Sequence, residues 1–309
     1  LGVGVMFGRI QHFFSALNRR RKAKIPSRYV SRRKFEDAAF KYQCLVDSIT
    51  SLENPLAKQP QLRCVHPFNF QANVKEICLF VSYSPVALIK PHVLHHIKAL
   101  RSANIAVALV INVYDVNADL THLDTSGLDL SGLYIRENIG FDFGAWAQLY
   151  SMLGATVDPD RLYLVNDSMI GPLSDHMFQG LVEKIHKSSA DMVGLLANPT
   201  PQFHLQSFFL VFNRSILTDE RFQTFFKGLW CLPTKDMVID FYEVRFTQLI
   251  QSWGYVAESL YEIKLAPYQK TNLVIFNLDE LLKLDFPYVK TSMAIQPEGQ
   301  KILSRYNLL

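Results

Sequence analysis

The chain has 309 residues, of which 49% are hydrophobic, a composition that supports a sizeable core and excludes intrinsic disorder. Residues 1–34 contain ten Lys or Arg and no acid, whereas the remainder carries 22 basic and 28 acidic residues. A nucleic-acid-binding body should itself be basic, so we expect no nucleic acid among the partners.

The four cysteines are scattered along the chain and form no CxxC pair. This spacing fits neither a disulfide framework nor a zinc site, and it indicates a reducing compartment. The sequence has no apolar run of about eighteen residues, so it predicts no membrane-spanning helix. We therefore expect a cytoplasmic protein.

The N-terminal segment, residues 1–34, is apolar at first and then basic, with the run RRRK at 19–22. Phe13 and Leu17 beside this run are typical of an anchor on an anionic lipid surface. Such a peripheral membrane contact would place the chain at the inner face of the plasma membrane. The alternative is a helix that packs on the body, with a solvated basic turn.

Residues 1–70 are predicted to form a basic helical N-terminal extension and linker. Good helix formers predict a helix over 35–52. The stretch 54–70 contains three prolines and is typical of a linker.

From residue 71 onward, apolar runs alternate with helical patterns. Strands are predicted at 77–81, 105–111, 133–135, 161–165, 192–196 and 207–212. Helices are predicted at 91–102, through 146–153, and at 222–230 and 237–253. Strands that are apolar on both faces indicate buried parallel βαβ units. We predict an α/β fold with an open, mostly parallel Rossmann-type sheet flanked by helices over 71–265, and a C-terminal tail over 266–309 packed on this domain.

Open α/β sheets bind ligands beyond the carboxyl ends of their strands, so the turns at these ends are the candidate sites. The turn after the first predicted strand contains Ser82 and Tyr83, which are candidate donor contacts, but it has no GxGxxG fingerprint. The chain also lacks a GxxxxGK[ST] motif. Rossmann-type dinucleotide binding and P-loop ATPase activity are therefore disfavoured.

The loop after the third predicted strand offers polar groups together with glycines. Gly140 and Gly144 would let the backbone approach a ligand closely. Asn138 and Asp142 provide an amide and a carboxylate at the same place, and Arg136 provides a fork suited to phosphate. The alternative is a tight turn in which Asp142 caps the following helix.

The fourth predicted strand ends at Asn166, Asp167 and Ser168. A carboxylate at this edge can hold Mg²⁺ or Mn²⁺, which would neutralise a departing nucleotide diphosphate. Asp167 is the predicted metal ligand, and Asn166 and Ser168 are weaker oxygen donors. The alternative is an Asx turn before Gly171.

Four segments carry a resemblance to a known family: RENIGFDFGAW at 136–146, LYLVNDSMIGPL at 162–173, HLQSFFLVF at 204–212, and YE at 242–243 with GY at 254–255. In this order and spacing the chain resembles the rhamnan synthesis protein F family from about Ile77 to Tyr255. The resemblance implies a GT-A-like fold and a glycosyltransferase that takes a nucleotide-activated sugar, such as deoxythymidine-diphosphate rhamnose. It also implies a growing bacterial surface polysaccharide as the acceptor, which we expect to be lipid-linked.

Glu243 is the candidate catalytic residue. On the predicted helix 237–253 it shares a face with Phe246 and Ile250. A carboxylate on an apolar face is costly unless it is paired or used, and partial burial would suit a general base that deprotonates the acceptor in an inverting transfer. The alternative is an ion pair with Arg245 or another basic group, and Asp240 is a second candidate base.

Histidines and a glutamine complete the candidates. His204 precedes a predicted strand and is a candidate metal ligand or phosphate contact, although a satisfied buried histidine is the more frequent outcome. Gln206 is a candidate for binding a sugar hydroxyl. His92, His95 and His96 are predicted to lie on the surface, away from the strand ends.

Two other functions remain open from the sequence. Because the Asp167 site lacks a second acid, the domain is also compatible with a catalytically silent glycan- or nucleotide-binding module. A metal-dependent phosphotransferase or hydrolase on a similar sheet is the third possibility, and it predicts phosphate release without an acceptor.

Overall fold

The computed structural model describes residues 59–308 apart from 72–73, 154–156 and 264–271, together with residues 40, 41 and 43. The chain divides into two compact units, Leu1–Pro55 and Leu56–Leu309. In the first unit, residues 40, 41 and 43 are helical, within the helix predicted over 35–52. The lipid-contact prediction for residues 1–34 lies outside the described residues. All elements below belong to the second unit.

Twelve strands form one large and two small sheets in the described part of the second unit. They are β1 (Leu62–His66), β2 (Glu76–Tyr83), β3 (Ala106–Val113), β4 (Gly132–Glu137), β5 (Arg161–Asn166), β6 (Met169–Ile170), β7 (Met192–Gly194), β8 (Ala197–Asn198), β9 (His204–Leu205), β10 (Phe209–Asn213), β11 (Ala257–Ser259) and β12 (Val289–Lys290).

The helices are α1 (Pro91–Ser102), α2 (Phe141–Leu153), α3 (Asp175–Lys187), α4 (Arg214–Leu217), α5 (Glu220–Lys227), α6 (Lys235–Val238), α7 (Val244–Ser252), α8 (Leu273–Phe276), α9 (Leu278–Lys283) and α10 (Pro297–Arg305). A π-helical turn, Ile239–Glu243, joins α6 to α7. The helix predicted over 237–253 is therefore interrupted in its first half.

The large sheet has eight strands in the order β1-β4-β3-β2-β5-β10-β7-β11. Strands β4, β3, β2 and β5 are parallel neighbours, and β11 is parallel to β7. Strands β1 and β10 run antiparallel to the strands beside them. The predicted open, mostly parallel α/β sheet is confirmed at this level.

The core explains why the central strands are apolar along their whole length. Every residue of β3 is buried, as are six consecutive residues of β2. Phe80 and Leu109 from these strands share one core cluster with Val93 of α1 and Leu181 of α3. Full burial of such side chains contributes about 1.5–3 kcal/mol each, so the sheet and its helices stabilise one another.

The edge strand β1 lies inside the stretch 54–70, which was predicted as a linker. That prediction was wrong for residues 62–66, which pair antiparallel with β4. Because an edge strand is half exposed, two of its five residues are only partly buried and three are exposed, and no apolar run marks it.

The C-terminal segment packs beside the turn that follows β5. Strand β12 pairs with β6, so that Lys290 lies opposite Met169. Ile302 and Leu303 of α10 share a core cluster with Leu173 and Met177. Residues 286–293 are thereby held at the carboxyl edge of the large sheet.

Candidate active site

Asp167, directly after β5, is held by the neighbouring strand and by the start of α1. Its Oδ2 accepts hydrogen bonds from Ser82 Oγ at 2.8 Å, from the Tyr83 backbone N–H at 2.9 Å and from Lys90 Nζ at 2.7 Å. The parallel pairing of β2 with β5 places these groups together, because Val81 lies opposite Asn166. The Asp167 side chain is 15% exposed and that of Lys90 is 31% exposed, so the ion pair is partly shielded from water.

Asn166 connects Asp167 to Asp142. Its amide Nδ2 donates to Asp142 Oδ2 at 2.9 Å, and its Oδ1 accepts from the Ser168 backbone N–H at 3.1 Å. The second bond is an Asx turn, the alternative that the sequence left open, but it is made by Asn166 and leaves the Asp167 carboxylate for other partners. Asp142 lies in the first turn of α2, and its carboxylate bonds Asn166 across the edge.

The carboxyl group of Asp142 lies where its ionised form is unfavourable. The pKa of Asp142 is raised from 3.8 to about 6, mainly by burial, and the charges of Asp167 and Glu243 contribute to this rise while Lys235 and the Asn166 hydrogen bond oppose it. The electrostatics therefore bring three carboxylates and a lysine into one cluster, although they come from three separate segments of the chain.

Glu243 lies at the end of the π-helical turn, where a serine and a histidine flank it. Ser207 Oγ donates to Glu243 Oε2, and His204 Nε2 lies 4.0 Å from Glu243 Oε1. Arg245, the partner considered in the ion-pair alternative, instead donates from Nε to the carbonyl of Asp240. π-Helical turns occur frequently at functional sites, and this one aims Glu243 at the edge of the sheet.

His204 is buried, and its hydrogen bond defines its tautomer. Its Nδ1 lies 2.8 Å from the carbonyl oxygen of Gln202. Because a carbonyl oxygen only accepts, Nδ1 must carry a hydrogen, and Nε2 lies on the side of Glu243. Gln206 is also buried, between His204 and Ser207 in the chain.

Two further lysines complete the site. Lys235 begins α6, and its charge lowers the pKa of Asp142. Lys290 of β12 is partly buried, and burial lowers its pKa, with a further lowering by Lys235 and an opposing effect of Glu243. We call Asp142, Asp167, Glu243, Lys90, Lys235 and Lys290 the edge cluster. The three lysines of the edge cluster were not predicted from the sequence. Only Lys90, directly before Pro91 of α1, lies in a turn after a strand, where an inspection of strand ends would find it.

Arg136 lies away from solvent near the end of β4, beside the loop that follows this strand. It is fully buried, and all five N–H groups have protein acceptors: Gln148 Oε1, Asn112 Oδ1, the carbonyls of Glu137 and Ile139, and Cys231 Sγ. No donor is left for a phosphate, so we assign Arg136 to holding this loop in place, contrary to the predicted phosphate contact.

Gly140, in this loop, and Gly144, near the start of α2, lie against protein atoms. A Cβ on Gly140, whose φ is +75°, would lie 2.8 Å from Cys231 Cα. A Cβ on Gly144 would lie 3.0 Å from Arg136 Nη2. The sequence predicted the close approach of a ligand at these glycines, and the structure places Cys231 and Arg136 beside them. Asn138, at the end of β4, is partly buried, and its N–H donates to the Val113 carbonyl.

The three histidines of α1 do not lie on the surface away from the strand ends, as was predicted. His92 Nε2 lies 3.1 Å from the Asp167 carbonyl oxygen, and His95 Nε2 lies 2.7 Å from that of Pro172. His96 is buried, and its Nε2 lies 2.9 Å from Tyr288 Oη. Burial lowers the pKa of His96 to about 3, so this ring is neutral at physiological pH. The prediction failed because α1 packs beside the segment that follows β5.

Within the described ranges, no three His, Cys, Asp or Glu side chains come together as a set of metal ligands. No helix in that part of the chain is both long enough and apolar enough to cross a membrane.

Comparison with known proteins places the sequence in a family. The sequence pattern of rhamnan synthesis protein F matches residues 108–308. The chain belongs to the rhamnan synthesis protein F family. The match includes five of the six residues of the edge cluster, all except Lys90, together with most of the C-terminal segment that carries Lys290. It confirms the family suggested by the sequence motifs.

Two curated relatives of this family member cover only part of its length. The uncharacterized protein y4gN of Sinorhizobium fredii is 27% identical over 192 residues, which are 60% of this chain and 48% of that protein. The virulence protein VirA of Vibrio anguillarum is 28% identical over 135 residues, which are 42% of each chain. The chain thus spans about half or less of the curated relatives it matches.

Proposed function

We propose that this rhamnan synthesis protein F family member is a glycosyltransferase that moves a sugar, rhamnose or a related deoxysugar, from a nucleotide-diphosphate donor to a growing bacterial surface polysaccharide. The observation that carries the proposal is the edge cluster, in which acids and lysines converge beyond the carboxyl ends of parallel strands. The family named for rhamnan synthesis supplies the substrate class. A GT-A-like arrangement of the sheet is part of this proposal.

Glu243 is the proposed general base of an inverting transfer. One of its oxygens accepts from Ser207 and the other faces His204, so its side chain is oriented before any substrate arrives. The carboxylate takes the proton of an acceptor hydroxyl, whose oxygen attacks the anomeric carbon. The bond from that carbon to the diphosphate breaks, and its electron pair leaves with the diphosphate.

The donor is proposed to lie along the edge between β2 and β5. Asp142 and Asn166 offer acceptors and donors for sugar hydroxyls, with His204 and Gln206 across the site. At the end of β2, the rings of Tyr83 and Tyr114 form an edge-to-face pair with centroids 5.9 Å apart, and Tyr114 is 73% exposed. This exposed aromatic pair suits the stacking of a nucleobase.

The predicted Mg²⁺ or Mn²⁺ at Asp167 does not fit the residues present. Oδ2 of Asp167 already accepts three hydrogen bonds, one of them from the ammonium group of Lys90, which neutralises the carboxylate. Oxygen-rich sites for these ions need several carboxylate or carbonyl ligands, and among the described residues no three acidic, histidine or cysteine side chains are arranged so that they could hold a metal ion together. No step of the proposed reaction is therefore assigned to a metal.

The acceptor is proposed to be lipid-linked, at the inner face of the plasma membrane, where the basic segment 1–34 would contact anionic lipid. A cytoplasmic location would give the enzyme access to nucleotide sugars. The catalytically silent glycan- or nucleotide-binding module remains the alternative, because Asp167 is paired with Lys90 and is not flanked by a second acid.

A transfer assay tests the proposal. The full chain is incubated with radiolabelled sugar nucleotides and a bacterial lipid-linked oligosaccharide fraction, and labelled lipid product is measured. We expect one donor to be transferred by the wild type, and Glu243→Gln to lose at least about 100-fold in kcat, the usual contribution of a general base. Asp240→Asn, on the same π-helical turn, should retain activity.

Donor binding by Glu243→Gln should remain close to that of the wild type. Nucleotide-sugar binding without transfer under any condition would favour the silent module. Equal losses in Glu243→Gln and Asp240→Asn would show that the turn, and not the Glu243 carboxylate, is required.

A further inference from the structure

Two lysines of the edge cluster, Lys235 and Lys290, are not neutralised by a direct partner. In the part of the chain that the structure describes, neither ammonium group forms an ion pair with a carboxylate, whereas Lys90 is committed to Asp167. Lys290 is partly buried, and a partly buried ammonium group without a partner is unfavourable unless it is used. We therefore expect an anion to bind beside Lys290.

The two lysines come from separate segments that converge on one place. Lys290 lies opposite Met169, two residues beyond Asp167, and Thr291 N and Oγ1 donate to the Ser168 carbonyl, which fixes this register. Lys235 starts the helix that continues through the π-helical turn to Glu243. The charge of Lys235 lowers the pKa of Lys290, so the two ammonium groups repel one another. An anion shared between them would remove this repulsion.

The diphosphate of a nucleotide sugar is an anion of the right kind for such a site. It carries two negative charges on adjacent phosphates, and ammonium groups bind phosphate as point charges. A leaving diphosphate gains negative charge as the sugar bond breaks, so fixed cations stabilise it in the transition state. In many active sites a divalent metal supplies this charge.

We propose that Lys235 and Lys290 bind the diphosphate of the sugar donor and neutralise the leaving group, in place of a divalent metal. This inference rests on the proposed glycosyltransferase function. It reverses the sequence-based prediction of a metal at Asp167, because Lys90 occupies that carboxylate and Lys235 and Lys290 supply the positive charge for the diphosphate.

The test is calorimetric titration of the full chain with inorganic pyrophosphate, with the diphosphates of deoxythymidine, uridine and guanosine, and with their sugar conjugates. Each titration is run in excess EDTA and again with Mn²⁺. The variants are Lys290→Met, Lys235→Met and the charge-preserving Lys290→Arg. Lys187→Met is the matched control, because Lys187 is exposed and pairs within α3 with Glu183.

We expect a diphosphate to bind in EDTA, and each substitution by Met at Lys235 or Lys290 to weaken its binding at least about tenfold, the typical effect of losing one charged hydrogen bond. Lys290→Arg should retain most of the affinity, and Lys187→Met should equal the wild type. Lys235 is exposed, so its substitution should leave folding intact even if Lys290→Met is unstable.

Binding that requires Mn²⁺, or that both Met variants retain, overturns the lysine proposal and leaves the glycosyltransferase proposal standing. If no sugar nucleotide or diphosphate binds with or without Mn²⁺, the proposed function fails together with it.

Discussion

Asp142 carries a carboxyl group at a position where its ionisation opposes folding. Its pKa is about 6 in the folded protein, against an ordinary value of 3.8, with burial as the main cause. The folded state therefore binds this proton more tightly than the unfolded state does. The cost to stability is fully present above pH 6, falls as the pH decreases through this range, and disappears below 3.8.

Replacing Asp142 with Asn removes the charge and keeps the shape and one acceptor oxygen for Asn166 Nδ2. Each pKa unit corresponds to about 1.4 kcal/mol, so a rise from 3.8 to about 6 corresponds to about 3 kcal/mol at most. We expect Asp142→Asn to raise the free energy of unfolding by up to that amount at pH 7.5. At pH 4 the variant and the wild type should be nearly equal.

Urea denaturation at the two pH values measures this difference. Asp285→Asn is the matched control, because Asp285 is exposed and has a positive φ of 58°, a backbone conformation that Asn tolerates well. It removes the same charge without relieving burial, so its effect should be small at both pH values. The reasoning is refuted if Asp142→Asn is no more stable than the wild type at pH 7.5, or if its advantage is as large at pH 4.

Three further substitutions and one double-mutant cycle test the packing and the Lys90–Asp167 ion pair, each by urea denaturation. Arg136→Met should destabilise the protein by about 3 kcal/mol or more, because each buried acceptor left without its donor costs about 1–3 kcal/mol. A loss of stability below about 1 kcal/mol would contradict the assigned structural role. Gly140→Ala should be destabilising by at least about 1 kcal/mol, since its φ is +75° and its Cβ would lie 2.8 Å from another backbone segment. Gly180→Ala, in α3 with open space around it, should instead gain about 0.5–1 kcal/mol. A double-mutant cycle of Lys90→Met and Asp167→Asn should give a coupling of about 1–3 kcal/mol, and additive effects would show that the ion pair is not formed in solution.

The central fold could be predicted because its strands are buried on both faces. The runs at 77–81, 105–111 and 162–165 are apolar without interruption, and the structure places strands β2, β3 and β5 there. Strand β1 could not be predicted in the same way. It lies at the sheet edge, and its partly exposed residues LRCVH follow a proline-rich stretch.

The acids of the candidate site could be found from the sequence because each follows a strand or lies on an apolar helix face. The lysines could not be found in this way. Lys290 reaches the site only because β12 pairs with β6, a contact more than a hundred residues apart that no local pattern reveals. Arg136 shows the opposite limitation: its position beside two glycines is typical of a phosphate loop, but tertiary packing commits all its donors to protein.

The histidines of α1 show the same dependence on tertiary contacts. The helix bounds at 91–102 agree with the prediction. Which side of the helix faces the turn after β5 depends on how α1 packs on the sheet. His96 enters the core beside Tyr288, from a segment far along the chain.

The central claim is that the edge cluster binds a nucleotide sugar, and its most direct test is calorimetric titration of the full chain with a panel of sugar nucleotides. The wild type is compared with Asp142→Asn, which we expect to be at least as stable, so that lost binding cannot be attributed to unfolding. The account predicts that one donor binds the wild type, and that the variant binds it at least about tenfold more weakly because a charged acceptor for sugar hydroxyls is lost. A donor that binds both proteins equally, or a panel in which none binds, would contradict the claim.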